Sequence, residues 1–252
     1  MLKYVSNEGC NMDSIESKEL KIKELIGNGS FSSVYKCTLD GKTYAYKEFN
    51  DPTYLNGKIR KLDLISRINK DYIVSPIFWV DDNRQKKGYL SDIIDGTDLL
   101  FYDKKDLKTK IDILKKCKTA LVNMNDDGII HSDLSKINIM IENGKIKFID
   151  FDNCTFKNYY TKLKDTNDFV GEYIRRYGIN RKLDTYTFNL LTYSVINNIS
   201  VFKSRLSILT GNYGLFSENV HAIKICDSLF LDSDKINTDF LIDTIDDAKL
   251  SL

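Results

Sequence analysis

Apolar and polar residues first settle into a regular pattern at Leu20, and three runs follow: Leu20 to Ile26, Val34 to Leu39 and Lys42 to Phe49. Alternation at period two and the Asp40-Gly41 dipeptide predict a three-stranded meander. Counting outward from that turn pairs Leu39 with Lys42, Cys37 with Tyr44, Lys36 with Ala45 and Val34 with Lys47. Apolar positions 55, 59, 62, 65 and 68 then predict a helix over Leu55 to Asn69. Two further strands, Tyr72 to Val80 and Lys87 to Ile94, flank the polar turn Asp81-Asp82-Asn83. Leu107, Ile111, Leu114, Leu121 and Met124 predict an amphipathic helix through Asn125, with the lysines at 104, 105, 108, 110, 115, 116 and 118 as its solvated face. Asp184 begins an apolar helix to about Ile199, and Ser217 to Leu231 and Thr238 to Leu250 read as two last helices. Residues 1 to about 18 lack a period and read as an N-terminal extension, partly ordered at most.

The most informative stretch is His131 to Asp152. Ile139 to Glu142 and Lys145 to Ile149 are apolar-rich runs joined by Asn143-Gly144, the dipeptide best suited to a type I′ turn. Pairing outward sets Ile141 opposite Ile146 and Asn138 opposite Ile149, so Asn138 and Asp150 emerge together at the open end. Asp133 lies in the loop just before. Two carboxylates and an amide oxygen gathered there suit Mg²⁺, a hard ion that takes oxygen ligands and leaves room for phosphate oxygens. In the meander, Val34, Ala45 and Lys47 project from one face. A flat apolar ceiling beside a cation is what an adenine ring and phosphates require. The glycines of Gly27-Asn28-Gly29-Ser30 let backbone N–H groups approach phosphate without a Cβ in the way.

Composition narrows the picture. With 37 Lys+Arg against 36 Asp+Glu among 252 residues, the chain has no overall bias toward nucleic acid or anionic membrane. A 42% hydrophobic content supports a substantial core. The five cysteines, at 10, 37, 117, 154 and 226, form no C-x-x-C pair, which predicts reduced thiols and a cytoplasmic setting. No apolar run approaches about 18 residues, so neither signal peptide nor membrane span is expected. Oligomeric state is not legible.

The pattern H-x-D-L-x-x-x-N at His131 to Asn138, followed 17 residues after its Asp by Asp150-Phe151, resembles the catalytic and magnesium loops of the eukaryotic-like protein kinase superfamily. Gly27-x-Gly29, Val34 and Tyr44-Ala45-Tyr46-Lys47 resemble its glycine loop and lysine-bearing strand, and Ser91 to Gly96 its hinge. Gly171-Glu172 with Asp184, 12 residues later, resembles the end of its activation segment and its central helix. The resemblance implies an α+β, bilobal protein-kinase-like fold: an antiparallel sheet with one helix over about 19–94, a mainly helical lobe over about 95–252, and an extension at 1–18. It implies ATP and Mg²⁺ as cofactors and an unidentified protein substrate, with Ser or Thr favoured as acceptor. Asp133 would be the base, and Lys47 would clamp the α- and β-phosphates. Lys136 would reach the γ-phosphate, and Asn138 and Asp150 would hold metal. Gly27, Asn28, Gly29, Ser30, Val34, Ala45, Asp92, Ile94 and Met140 would line the nucleotide. Asp184 would hydrogen-bond backbone of the His131 loop, or act as a local N-cap. Thr155, Tyr159, Tyr160, Thr161 and Thr166 are conceivable phosphorylation sites, and Lys235 would pair with Glu172.

The chain also departs from the family pattern. No glutamate occurs between Glu48 and Glu142, so the helix acid that pairs with the strand lysine is missing and Lys61 takes its place. Either Asp63 substitutes, or Lys47 is held by Asp150 and the phosphates alone. Ser132 replaces the arginine before the base, which argues against switching by activation-segment phosphorylation. Asp152, where protein kinases have glycine, keeps open a small-molecule phosphotransferase similar to aminoglycoside or choline kinases. The missing glutamate keeps open a nucleotide-binding scaffold without catalysis.

Overall fold

In a computed structural model, residues 12–159 and 169–197 are described. The expected helices at 217–231 and 238–250, Lys235, Tyr160, Thr161, Thr166 and the Glu172 side chain lie outside the described residues. The chain divides into two compact units between Asp95 and Gly96.

In the first unit β1 (Ser14–Glu16), β2 (Lys21–Asn28), β3 (Ser32–Leu39), β4 (Lys42–Phe49), β5 (Pro76–Asp82) and β6 (Gln85–Asp92) form one sheet in the order β1-β5-β6-β4-β3-β2. Every pair counted from Asp40-Gly41 is present, including Val34 with Lys47 and Lys36 with Ala45. All contacts in the sheet are antiparallel except β1 with β5, which pairs Ser14 with Trp79. Alternation along the strands divides neighbouring residues between two cores. Val80 and Leu90 join Leu20, Cys37, Tyr44 and Tyr46, whereas Trp79 and Tyr89 join Phe49, Leu55 and Leu62.

The helix expected over Leu55 to Asn69 is interrupted. A 3₁₀ turn occupies Pro52–Leu55, Gly57 adopts φ 78°, and only Ile59–Ile65 is α-helical (α1). A left-handed residue cannot continue a helix, so the apolar period ran through a break it could not register. At the other end the Ser66 hydroxyl donates to the Asp63 carbonyl at 2.8 Å. The strand expected from Tyr72 starts at Pro76, where the missing N–H is tolerated at a first strand position.

The second unit carries β7 (Thr97–Asp98), α2 (Leu107–Asp126), β8 (Ile129–Ile130), β9 (Ile139–Glu142), β10 (Lys145–Phe148), β11 (Thr155–Phe156), α3 (Phe169–Tyr177) and α4 (Arg181–Asn197). The β9–β10 register is the one read from Asn143-Gly144, and β7 pairs with β9 on the other side. Helix α2 packs against α4. Lys110 does not belong to the solvated face: it is buried, and its ammonium donates to the Ile196 carbonyl at 3.4 Å. Helix α4 begins at Arg181, so Asp184 sits inside its first turn rather than at the N-cap.

Candidate functional site

Within the second unit the site is assembled by backbone bonds from Asp184. This carboxylate is fully buried, and its Oδ2 and Oδ1 accept from the N–H groups of His131 and Ser132 at 2.7 and 2.9 Å. With its amide turned to suit its neighbours, Asn125 adds a donor to Asp184 Oδ2 at 3.1 Å and to the Ile129 carbonyl at 2.8 Å. Burial pushes the Asp184 pKa up to about 7, against the lowering effect of the two backbone bonds. The left-handed φ of Ser132, 65°, costs on the order of 1–3 kcal/mol, and the carboxylate that grips its N–H holds it there.

Beyond Ser132 the chain turns outward to Asp133 and returns along β9. The Asn138 amide donates to the Asp133 carbonyl at 2.9 Å, fixing the loop's two ends. Ile149 N–H donates to the Asn138 carbonyl at 3.1 Å, so Asn138 and Asp150 stand at the same end of the hairpin. His131 Nε2 lies 2.8 Å from the Ile149 carbonyl, and the His131 and Phe151 rings are 5.1 Å apart. These contacts tie the Asp133 loop to the Asp150 loop. Asp150 is itself left-handed, at φ 67°.

Three site residues thus come together: Asp133, Asn138 and Asp150. The Asn138 amide nitrogen is engaged, which leaves its oxygen as an acceptor. Asn153 donates to Asp133 Oδ2 at 3.0 Å, a contact between residues 20 positions apart that no motif or spacing announces, and leaves Oδ1 for another partner. The donor set of amide oxygen and carboxylate fits a hard cation. No group of three His, Cys, Asp or Glu side chains gathers among the described residues. Lys136 is placed differently from the expectation: its ammonium binds both oxygens of Asp103, at 2.8 and 2.7 Å. Met140 lies in β9, paired with Lys147 and Asp98.

The other residues lie in the first unit. Val34, Ala45 and Lys47 share a face, as the register requires, and Lys47 is buried with its ammonium 5.5 Å from the Phe49 ring centre. Gly27 and Asn28 are the last residues of β2, paired with Val34 and Ser33, so that of the expected loop only Gly29 and Ser30, with Phe31, join β2 to β3. Gly29 N–H donates to the Ser32 carbonyl at 2.8 Å, and the Ser33 hydroxyl donates to Asn28 Oδ1 at 3.1 Å. The Gly29 donor is therefore used within the loop. Asp92 ends β6 and pairs with Lys42 at 3.3 Å, and Ile94 follows where the sheet stops. Asp63 is buried, and its Oδ1 accepts from Trp79 Nε1 at 2.8 Å and from Met12 N–H at 3.1 Å. Neither oxygen meets a cation among the described residues, and Oδ2 has no hydrogen-bond partner there. Asp63 Oδ1 is thus committed to Trp79 and Met12.

A family model described as Protein kinase domain matches residues 20–231. A probable serine/threonine-protein kinase of Dictyostelium discoideum is 28% identical over 154 residues, covering 54% of this chain and 16% of that protein. A probable LIM domain-containing serine/threonine-protein kinase of the same organism is 25% identical over 198 residues, covering 72% and 30%. Mitogen-activated protein kinase kinase kinase 7 of Homo sapiens is 23% identical over 209 residues, covering 76% and 34%. The chain spans about a third or less of the length of these curated relatives.

Proposed function

Since the chain belongs to the protein kinase family, we propose that it transfers the γ-phosphate of ATP, with Mg²⁺, to a hydroxyl of a protein, serine or threonine being the favoured acceptor. The observation that supports this reading is the bond from Ile149 N–H to the Asn138 carbonyl, which brings Asn138 and the residue before Asp150 to the same end of the hairpin that follows Asp133. Asp133 orients the acceptor hydroxyl and takes its proton through Oδ1, while Asn153 holds the other oxygen. Asn138 and Asp150 are the residues that would hold Mg²⁺, which, when bound, neutralises charge on the phosphates. Lys47 supplies a cation to the α- and β-phosphates, beneath the apolar surface of Val34 and Ala45. The Ser/Thr preference draws on the names of the Dictyostelium relatives. Among the described residues Cys37, Cys117 and Cys154 are buried and in no disulfide, which suits a reducing, cytoplasmic setting. No helix of the described residues is long and apolar enough to cross a membrane.

A nucleotide-binding scaffold is the second reading, favoured by the commitment of Asp63 to Trp79. Transfer from γ-labelled ATP to generic proteins, aminoglycosides and choline, run in parallel with Asp133→Asn, separates the readings. Label on protein, lost in the variant, is expected. Label on a small molecule alone, or Mg²⁺-dependent ATP binding without transfer to any acceptor, would contradict the protein kinase reading.

A further inference from the structure

The segment Met12–Glu16 precedes the region matched by the family model, yet it is built into the first unit. Ser14, Ile15 and Glu16 pair in parallel with Trp79, Val80 and Asp81, and Trp79 N–H donates to the Asp13 carbonyl at 2.9 Å. Ile15 packs against the core of Leu20, Tyr46 and Val80, and Met12 against that of Leu62 and Trp79. Lys86 donates to the Ser14 hydroxyl at 3.1 Å. Asp63 joins this segment to the helix. One oxygen, carried by α1, receives both the Met12 N–H and the Trp79 indole N–H. A short helix of Ile59–Ile65 has little intrinsic stability, so its place depends on such external ties.

We propose that Asp63 is a positioning residue and Met12–Glu16 a strap: together they fix α1 against β5, a role the family gives to an acid paired with the strand lysine. The strap is thereby required for productive nucleotide binding, and displacing it would switch the site off. The nucleotide part rests on the proposed function, but the positioning part does not.

Two readouts separate the two parts. Trp79 is the sole tryptophan, so its fluorescence reports the junction directly. Amide hydrogen exchange of residues 59–65 reports α1. In the full chain, Met12→Pro removes the donor to Asp63 together with the Met12 side chain's packing on the Leu62 and Trp79 core. It should shift the Trp79 emission and lower α1 protection by at least about 3- to 10-fold, the worth of one net hydrogen bond, with the lost packing adding to it. Asp63→Leu should do the same or more. Asp63→Asn keeps an acceptor oxygen and should restore wild-type protection and emission, because the role needs an acceptor rather than a charge. In the protein assayed for transfer, Met12→Pro should raise the KM for ATP more than it lowers kcat. Unchanged α1 exchange in Met12→Pro would overturn the strap, and Asp63→Asn as damaging as Asp63→Leu would overturn the positioning role in favour of a charge-based one. Absence of transfer in every form would instead count against the proposed function, leaving the exchange and fluorescence results to judge the strap.

Discussion

Asp184 is the residue on which the geometry of the Asp133 loop depends most. Asp184→Asn would turn an amide N–H₂ toward existing donors and lose one of the bonds to His131 and Ser132. The expected cost is about 1–3 kcal/mol, read from urea denaturation. Its pH dependence has a definite sign. The folded pKa, about 7, lies above the ordinary 3.8, so the native state holds a proton that the unfolded chain has released in that window. The contribution of this group is fully present below the unfolded value and is lost as pH rises toward 7. Wild type should therefore lose stability from pH 5 to 7 more steeply than the Asn variant, and equal slopes would remove Asp184 as the cause. Lys136 offers a second test at this scale. Its pair with Asp103 is mostly withdrawn from water, with side-chain exposures of 12% and 20%. A double-mutant cycle with Lys136→Met and Asp103→Asn should give a coupling of about 1–3 kcal/mol, between the values of surface and buried pairs.

At the scale of elements, the hairpins were the most legible part of the sequence. Asp40-Gly41 and Asn143-Gly144 have both residues at positive φ, so turn chemistry alone fixed the registers of β3–β4 and β9–β10 and brought Asn138 beside Asp150. That Asp184 needs hydrogen-bond donors was legible too, because a carboxylate in an apolar helix cannot be left unpaired, whereas the His131 loop as their source, rather than a local cap, came from the family resemblance. What could not be read depended on contacts distant in sequence. β1 has three residues and finds β5 more than 60 positions later, with no period to announce it. Asn153 and Asp103 were invisible as partners for the same reason. Gly96 illustrates a constraint seen only in three dimensions: a Cβ there would lie 2.2 Å from the Ile141 carbonyl oxygen. Gly96→Ala must push β7 from β9, and a loss of about 1–3 kcal/mol is expected, measured by thermal denaturation.

For the molecule as a whole, nucleotide handling and proton handling are assigned to different residues, and variants should separate them. Asp150→Ala removes a carboxylate from beside Asn138, and should weaken Mg²⁺-dependent nucleotide binding at least tenfold, about 1.4 kcal/mol or more, by titration calorimetry. Equal affinity in variant and wild type would exclude Asp150 from the metal site. Asp133 handles the proton of the acceptor hydroxyl and is assigned no contact with the nucleotide. The most direct test is therefore transfer and ATP affinity measured side by side in Asp133→Asn. The account predicts an ATP dissociation constant within about threefold of wild type and a kcat lower by about 10²–10⁴-fold, the range for loss of a general base. Equal kcat in the two proteins would contradict it.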